Sequence, residues 1–335
     1  MKKALSSTIV QENLTMTMKP DDFKPMLACP MDMSKMSKYE HYSMEVKLDG
    51  VRCIAIKDPQ GKVSLWTRQG NEMTHKLRHL VEQLRGIRGS WVLDGEIGYS
   101  VADEDLTYDD QPVVIDMDFN ATIRIVGSDP DVAELKQQRN YHEGRGRIDF
   151  VAFDIMHKGN YPAYRLEQEE RRRGLVHLFT NQVSQPMNNV KLVTSYPRWD
   201  DSIYEYIVNR GGEGVILKNP EAAYQFGKRR ANTWYKIKKF ETVDARIIGY
   251  KLGEGKYRSQ IGALHVAPII ESTLIDTLTW VSGMTDVERQ HMTEHFPTEY
   301  KNKMCEIRHF GFVGQYKEGL RHPQFLRMRP DLDVS

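Results

Sequence analysis

The stretch "EVKLDGVR", residues 45–52, lies in a run whose polarity alternates. Met44, Val46 and Leu48 point one way and Glu45, Lys47 and Asp49 the other, which is the two-residue period of a half-buried strand. Asp49-Gly50 then marks a bend, and "VRCIAI" (51–56) reads as a second strand. A lysine beside such a bend is ordinarily a solvated surface residue, so Lys47 takes its meaning from the rest of the chain.

Working outward, apolar runs broken by glycine recur at "WVLDGEIG" (91–98), "IDFVAFDIM" (148–156) and "GGEGVILK" (211–218). Helical periodicity is clearest near 75–87, 165–179 and 200–209. Strands and helices mix without a regular βαβ rhythm, which predicts an α+β fold with antiparallel sheets. After Phe240 the texture changes. "ETVDARIIGYKLGEGKYRSQIGALHVA" reads as two strands joined by a Gly- and Lys-rich turn, and "NKMCEIRHFGFV" as a later strand. Short strands with Gly-rich turns suit a small Greek-key barrel such as an OB-fold. Two domains are expected, residues 1–240 and 241–335.

The chain has 335 residues, 40% hydrophobic and 28% charged, the balance of a globular protein. No apolar run approaches the roughly 20 residues that a bilayer requires. The N-terminal stretch has lysines but no apolar core for a secretion signal, and cysteines 29, 53 and 305 lack zinc spacing, so a reducing cytoplasm is expected. A net charge of +1 means that nucleic acid must be held by local patches. One such patch is "FGKRRANTWYKIKKF" (226–240), with six basic residues and no acidic one. By contrast "EQEERRRG" (167–174) is mixed in sign and reads as a solvated helix face. The stretch 99–147 reads as surface elaboration.

The chain contains neither a P-loop nor G-x-G-x-x-G. "HMTEH" (291–295) matches a zinc pattern and puts His291 and His295 four residues apart on a helix. Only 40 residues follow to supply a third ligand, so these histidines read as satisfied or solvated. What remains is a scatter of polar residues in strand-like runs. "TRQG" supplies Arg68, "LDGE" Glu96, and "EGVILK" Glu213 and Lys218. "WYKIK" places Lys236 and Lys238 on the strand face of Trp234.

In that order, "KLDGVR", "TRQG", "LDGE", "FVAFDIM", "EGVILK" and "WYKIK" resemble the motifs of the ATP-dependent DNA ligases, covalent nucleotidyltransferases. The spacing looks like that of the small two-domain phage-type members. "KPMLA" (24–28), "GEGKYRSQIGAL" and "LRHPQFLRMRPD" (320–331) extend the likeness over nearly the whole chain. It implies an ATP-grasp-like adenylation domain followed by an OB domain, with ATP and Mg²⁺ (or Mn²⁺) required. It implies further that a monomer acts on nicked double-stranded DNA and closes around it. Lys47 would take AMP from ATP, pass it to the 5′-phosphate of the nick, and the 3′-hydroxyl would then expel it. Arg52 and Glu96 would hold ribose or phosphates, Arg68 a phosphate, and Phe153 the adenine opposite residues 215–217. Glu45, Leu48, Asp49, Arg230, Lys236 and Lys238 would complete the ATP site. Glu96 and Glu213 would position the metal, Arg329 and Asp331 would orient pyrophosphate, and Lys228, Arg229 and Lys239 would meet DNA.

The chemistry is demanding. A lysine must be neutral to attack, and its reference pKa of about 10.4 leaves it roughly 4.6 kcal/mol away at pH 7. Lys236, Lys238 and a bound metal are the cations expected to lower that cost. The last motif departs from its usual R-x-D-K by ending in Leu332. RNA ligases and mRNA-capping guanylyltransferases share the lysine chemistry, and a non-catalytic OB-fold nucleic-acid-binding protein is the alternative from another class.

Overall fold

The bend after Lys47 does not close a hairpin. It carries the chain from one sheet to another in the computed structural model, which describes residues 20–31, 33–108, 111–144, 146–238, 241–270, 273–274, 279–309, 312–313, 319–320 and 322–332. Two compact units divide the chain, Met1–Ile237 and Lys238–Ser335.

The strands of the first unit are β1 (Cys29–Pro30), β2 (Ser43–Val46), β3 (Val51–Lys57), β4 (Val63–Thr67), β5 (Trp91–Tyr108) and β6 (Gln111–Asp118). They continue as β7 (Asp149–Lys158), β8 (Val190–Leu192), β9 (Ser195–Tyr196), β10 (Gly214–Lys218) and β11 (Trp234–Lys238). One sheet runs β1-β11-β10-β2-β9, the other β4-β3-β5-β7-β8 with β6 added on β5. Most pairs are antiparallel; β1–β11 and β7–β8 are parallel.

The reason for the crossover lies in the apolar faces. Met44, Val46 and Leu48 are buried with Val215, Leu217, Tyr235 and Ile237 in one core. Cys53 and Ala55 are buried with Leu65, Leu93 and Ala152 in another. β2 therefore pairs with β10 and β9 and β3 with β4 and β5, so residues 47–50 bridge the sheets. Gly50 makes this passage. A Cβ there would lie 2.4 Å from the Ile97 carbonyl oxygen, 2.7 Å from Met117 Sδ and 2.8 Å from Glu96 Cγ.

The first unit's helices are α1 (Arg78–Arg85), α2 (Phe119–Val126), α3 (Pro130–His142), α4 (Gln168–Asn181) and α5 (Asp201–Asn209). Helix α4 corrects one expectation. Arg173 pairs with Glu169 in solvent, but Arg171 is fully buried and forks onto Asp154 of β7 at 2.8 and 2.9 Å. Its other nitrogen donates to the carbonyls of Leu166 and Ala222, so the buried charge is paired and each of its nitrogens is hydrogen-bonded.

The second unit contains β12 (Glu241–Leu252), β13 (Ile261–Ile270), β14 (Thr273–Leu274), β15 (Thr279–Val281), α6 (Asp286–His295), β16 (Met304–His309), β17 (Phe312–Val313), β18 (Gly319–Leu320) and β19 (Gln324–Met328). The sheet path is β14-β13-β12-β16-β19, with β15 on β13 and a separate β17–β18 pair. Among the described residues the strands form no closed sheet, though Phe325 of β19 donates its N–H to the Ser282 carbonyl, next to β15, at 2.8 Å. Ile247, Leu264, Val266, Ile307 and Phe325 form its core with Met292 of α6. No described helix is long and apolar enough to cross a membrane.

Candidate active site

A cleft of about 740 Å³ opens at the crossover and is lined from both sheets of the first unit. Glu45, Ile216, Lys218, Trp234 and Lys236 come from one sheet, and Arg52, Glu96 and Phe153 from the other. Lys47 and Leu48 line it from the connection between them.

Deep in the cleft wall, Glu45 and Lys218 form an ion pair at 2.7 Å, each only 1–2% exposed. Lys218 also donates to the Phe153 carbonyl at 2.7 Å and sits 4.4 Å from the Trp234 ring centroid. Burial pushes its pKa down, while Glu45 opposes that shift. The second oxygen of Glu45, Oε1, is buried and has no hydrogen-bond partner among the described residues. An unspent buried acceptor is costly and therefore informative.

Arg52 is gripped rather than loose. Its Nε and Nη2 reach the two oxygens of Asp94 at 2.6 and 2.5 Å, and Nη2 also donates to the Met26 carbonyl at 3.2 Å. Tyr224 donates its hydroxyl to the same Asp94. The guanidinium lies 4.6 Å from the Phe153 ring centroid, so it stacks on the ring expected to meet adenine. Asp94 stands in the quoted "LDGE" motif, two residues before Glu96, and only the fold reveals its role as the anchor of Arg52.

Lys47 continues the β2–β10 ladder by donating its backbone N–H to the Gly214 carbonyl at 2.9 Å. That register brings Glu213 alongside, and Lys47 Nζ forms an ion pair with its carboxylate. The group against Nζ is thus an anion. Lys236 lines the cleft, but Lys238, at the end of β11, is not among the lining residues.

Other carboxylates gather near the crossover. Burial raises Glu96 to about 7, with Asp94 and Glu213 adding to the shift and Arg52 and Lys47 opposing it. Burial raises Asp116 to about 6, with Asp49 and Glu213 contributing. Asp116 accepts the Asp49 backbone N–H at 3.2 Å, so it holds the connection that carries Lys47. The reading of 99–147 as surface elaboration is therefore corrected: Asp116 stands at the crossover, and Phe119, Ile123 and Val126 of α2 line the cleft. The alternation in "VVIDMD" (113–118), with Val113, Ile115 and Met117 buried, was the signal that could have found Asp116.

The remaining candidates divide. Arg68, exposed in the turn after β4, lines the cleft. Arg229, assigned to DNA, lines it too, whereas exposed Arg230 does not. Of residues 215–217 only Ile216 faces the cleft, because the strand period turns Val215 and Leu217 into the core. Lys228 is exposed, and Lys239 lies outside the described residues. In the second unit Arg329 is held by Asp244 at 2.8 Å and by Asp331 at 2.9 Å.

The fold is that of the ligase-type nucleotidyltransferases. A solved structure of the Lig E DNA ligases matches with a TM-score of 0.61 and 19% identity, covering 91% of this chain and 98% of that one. The ligase domain of LigD from M. tuberculosis matches with a TM-score of 0.51 and 23% identity, covering 94% and 97%. Residues 25–238 match the family described as the ATP dependent DNA ligase domain, and the chain belongs to that family. A DNA ligase of Methanothrix thermoacetophila is 31% identical over 263 residues, covering 76% of this chain and 43% of the relative. A DNA ligase of Archaeoglobus fulgidus is 26% identical over 313 residues, covering 88% and 52%. The chain thus spans about half the length of these curated relatives.

Proposed function

We propose that this chain seals nicks between a 5′-phosphate and a 3′-hydroxyl in duplex DNA through a covalent lysyl-AMP intermediate on Lys47. The observation that carries the reading is the position of Lys47, on the connection between two sheets, lining the cleft with Nζ against Glu213. For Nζ to attack the α-phosphorus of ATP its proton must leave, and the Glu213 oxygen is the acceptor already in hydrogen-bond contact. The N–P bond forms as the bond to the β-phosphate oxygen breaks, and pyrophosphate departs with the electron pair. The 5′-phosphate of the nick then displaces Lys47 from AMP, and the 3′-hydroxyl displaces AMP from that phosphate.

The ends of the cleft suit the two ends of ATP. Glu45 Oε1, a buried acceptor in a residue that lines the cleft, complements the exocyclic amino group of adenine and opposes the O6 acceptor of guanine. Phe153, with Arg52 stacked on it, is assigned to the base and ribose, and Arg68, Arg229 and Lys236 supply positive charge for phosphates. Glu96 and Glu213 offer the one or two carboxylates that Mg²⁺ takes when phosphates complete its shell, so the donor set fits. When bound, the ion supplies positive charge against the phosphate oxygens.

The first unit serves as the adenylation domain on this reading, and the second as an OB-type domain that adds DNA contacts. Lys228 and Lys239 belong to the DNA-contacting basic stretch, and Arg329 and Asp331 serve pyrophosphate. We assign the work to a monomer in a reducing cytoplasm, in keeping with the free thiols of Cys29, Cys53 and Cys305. The test is sealing of a nicked DNA duplex labelled at its 5′-phosphate, beside an all-RNA duplex and single-stranded RNA. The expected result is sealing of the DNA nick, and a mass gain of one AMP on the protein with ATP but not of one GMP with GTP. Sealing of RNA alone, or a protein that never gains AMP, would refute the proposal.

A further inference from the structure

The second unit carries a cluster of metal-ligating side chains that takes no part in the cleft. Helix α6 is fixed at its start by a capping box, with Thr285 Oγ1 accepting from the Glu288 backbone and the Glu288 carboxylate accepting from the Thr285 backbone at 2.7 Å. Met292 and Phe296 anchor it in the core of the unit. His291 and His295, one turn apart, stack with ring centroids 4.3 Å apart and planes 22° from parallel. A wider turn, Phe296–Tyr300, follows the helix and brings back Glu299. One ligand atom each of His291, His295 and Glu299 then lies within 4.8 Å of the other two. The third ligand sought far along the chain stands four residues after His295.

The hydrogen bonds prepare the imidazoles. His295 Nδ1 lies 3.0 Å from the His291 carbonyl oxygen and must donate to it, which leaves Nε2 with its lone pair. His291 Nδ1 lies 2.7 Å from the Tyr300 hydroxyl, and donation there leaves its Nε2 open in the same way. Metal-bound histidines are characteristically fixed through their other nitrogen like this. Glu299 Oε2 approaches to 4.0 Å from His291 at the same Nδ1 that meets Tyr300, so side-chain rotation has to bring it to Nε2. Glu294, the acid of the H-x-x-E-H pattern, instead accepts from Gln290 at 3.1 Å and stands aside.

We propose that His291, His295 and Glu299 bind a divalent cation of the Zn²⁺ class, with solvent at the fourth position. Two imidazoles and one carboxylate are a zinc-type donor set, whereas Mg²⁺ favours oxygen. Zn–N bonds of about 2.0–2.1 Å put tetrahedral ligand atoms about 3.3 Å apart, so the cluster must contract by at most about 1.5 Å. His291 and Glu299 are exposed, and rotation of their side chains supplies that movement. Bound metal would clip the end of α6 to the turn that follows it.

The test is calorimetric titration of Zn²⁺ into the 335-residue chain in excess Mg²⁺, with Co²⁺ absorption as a second readout. One ion per chain and a tetrahedral Co²⁺ band are expected, both absent from a His291→Gln/His295→Gln double variant. Tyr300→Phe keeps all three ligands and should weaken binding about 10–100-fold. Self-adenylylation by the variants, whose residues lie outside the cleft, reports that they fold. The proposal is overturned if the chain binds no Zn²⁺, if the double variant binds it equally, or if Cys29→Ser abolishes binding.

Discussion

Lys47 and Glu213 form an ion pair between the connection that leaves β2 and the residue that precedes β10. The pairing follows from the Lys47 N–H to Gly214 carbonyl bond, so backbone register sets a carboxylate against the proposed nucleophile. A base held in this way has a measurable worth. Glu213→Gln keeps a hydrogen-bonding oxygen but loses the charge and the basicity, and should slow enzyme–AMP formation about 10²–10⁴-fold. Lys47→Ala should form no enzyme–AMP yet still seal a nick that already carries AMP. Mass spectrometry for the first step and gel assays on both nicks for the others measure this. Ordinary sealing by Lys47→Ala would end the assignment.

Glu45 should set the choice of nucleotide. Glu45→Gln places an amide beside Lys218, and its NH₂ group can meet the O6 of guanine. The preference for ATP over GTP in self-adenylylation should fall at least about tenfold, or about 1.4 kcal/mol. An unchanged preference would show that Oε1 does not read the base.

Glu96 ties stability to pH. Its carboxyl is raised from 4.5 to about 7, so the folded state holds the proton more tightly than the unfolded chain does. Between those values stability falls as pH rises, and the cost is complete above about 7. Glu96→Gln should therefore be more stable than the native chain above that pH, by at most about 3 kcal/mol, with the gain vanishing below pH 4.5. Urea unfolding of both proteins at the two ends of the window decides the matter, and a variant less stable at high pH contradicts it.

Gly50→Ala adds one methyl group at a point with no room. It should cost about 1–3 kcal/mol of stability and shift the connection that carries Lys47. Enzyme–AMP formation should fall by more than the sealing of a pre-adenylylated nick. Equal losses would mean that the glycine serves folding alone.

Arg329→Ala separates two roles for the last motif. If Arg329 serves pyrophosphate, enzyme–AMP formation should slow about 10–1,000-fold, while sealing of a pre-adenylylated nick changes far less. Asp244→Asn removes one of its anchors within the second unit, and the same bias in smaller measure is expected. Equal losses in both steps would assign Arg329 to DNA binding or to the packing of its unit.

What the amino-acid sequence determined by itself is local and periodic. Alternation around Lys47, glycine bends and helical spacing placed the strand that leads to Lys47 and those that carry Glu96, Phe153 and Lys236, because side chains on one strand share a face whatever the strand pairs with. The two-residue period even holds the reason why Ile216 alone of its neighbours lines the cleft. Pairing itself was not legible. That the Asp49-Gly50 bend joins two sheets, that Glu213 meets Lys47 and that Asp94 grips Arg52 depend on contacts between residues 42 to 166 positions apart. Such contacts are selected by which apolar faces bury together, and no local pattern records that choice. Alternation in residues 113–118 marks a half-buried strand, but that Asp116 meets the Asp49 backbone is again decided by pairing. Glu299 was missed for another reason, since Pro297 marks the end of the helix and only the turn Phe296–Tyr300 keeps Glu299 beside His295. Tertiary structure decided which charges meet, and with them where the chemistry can occur.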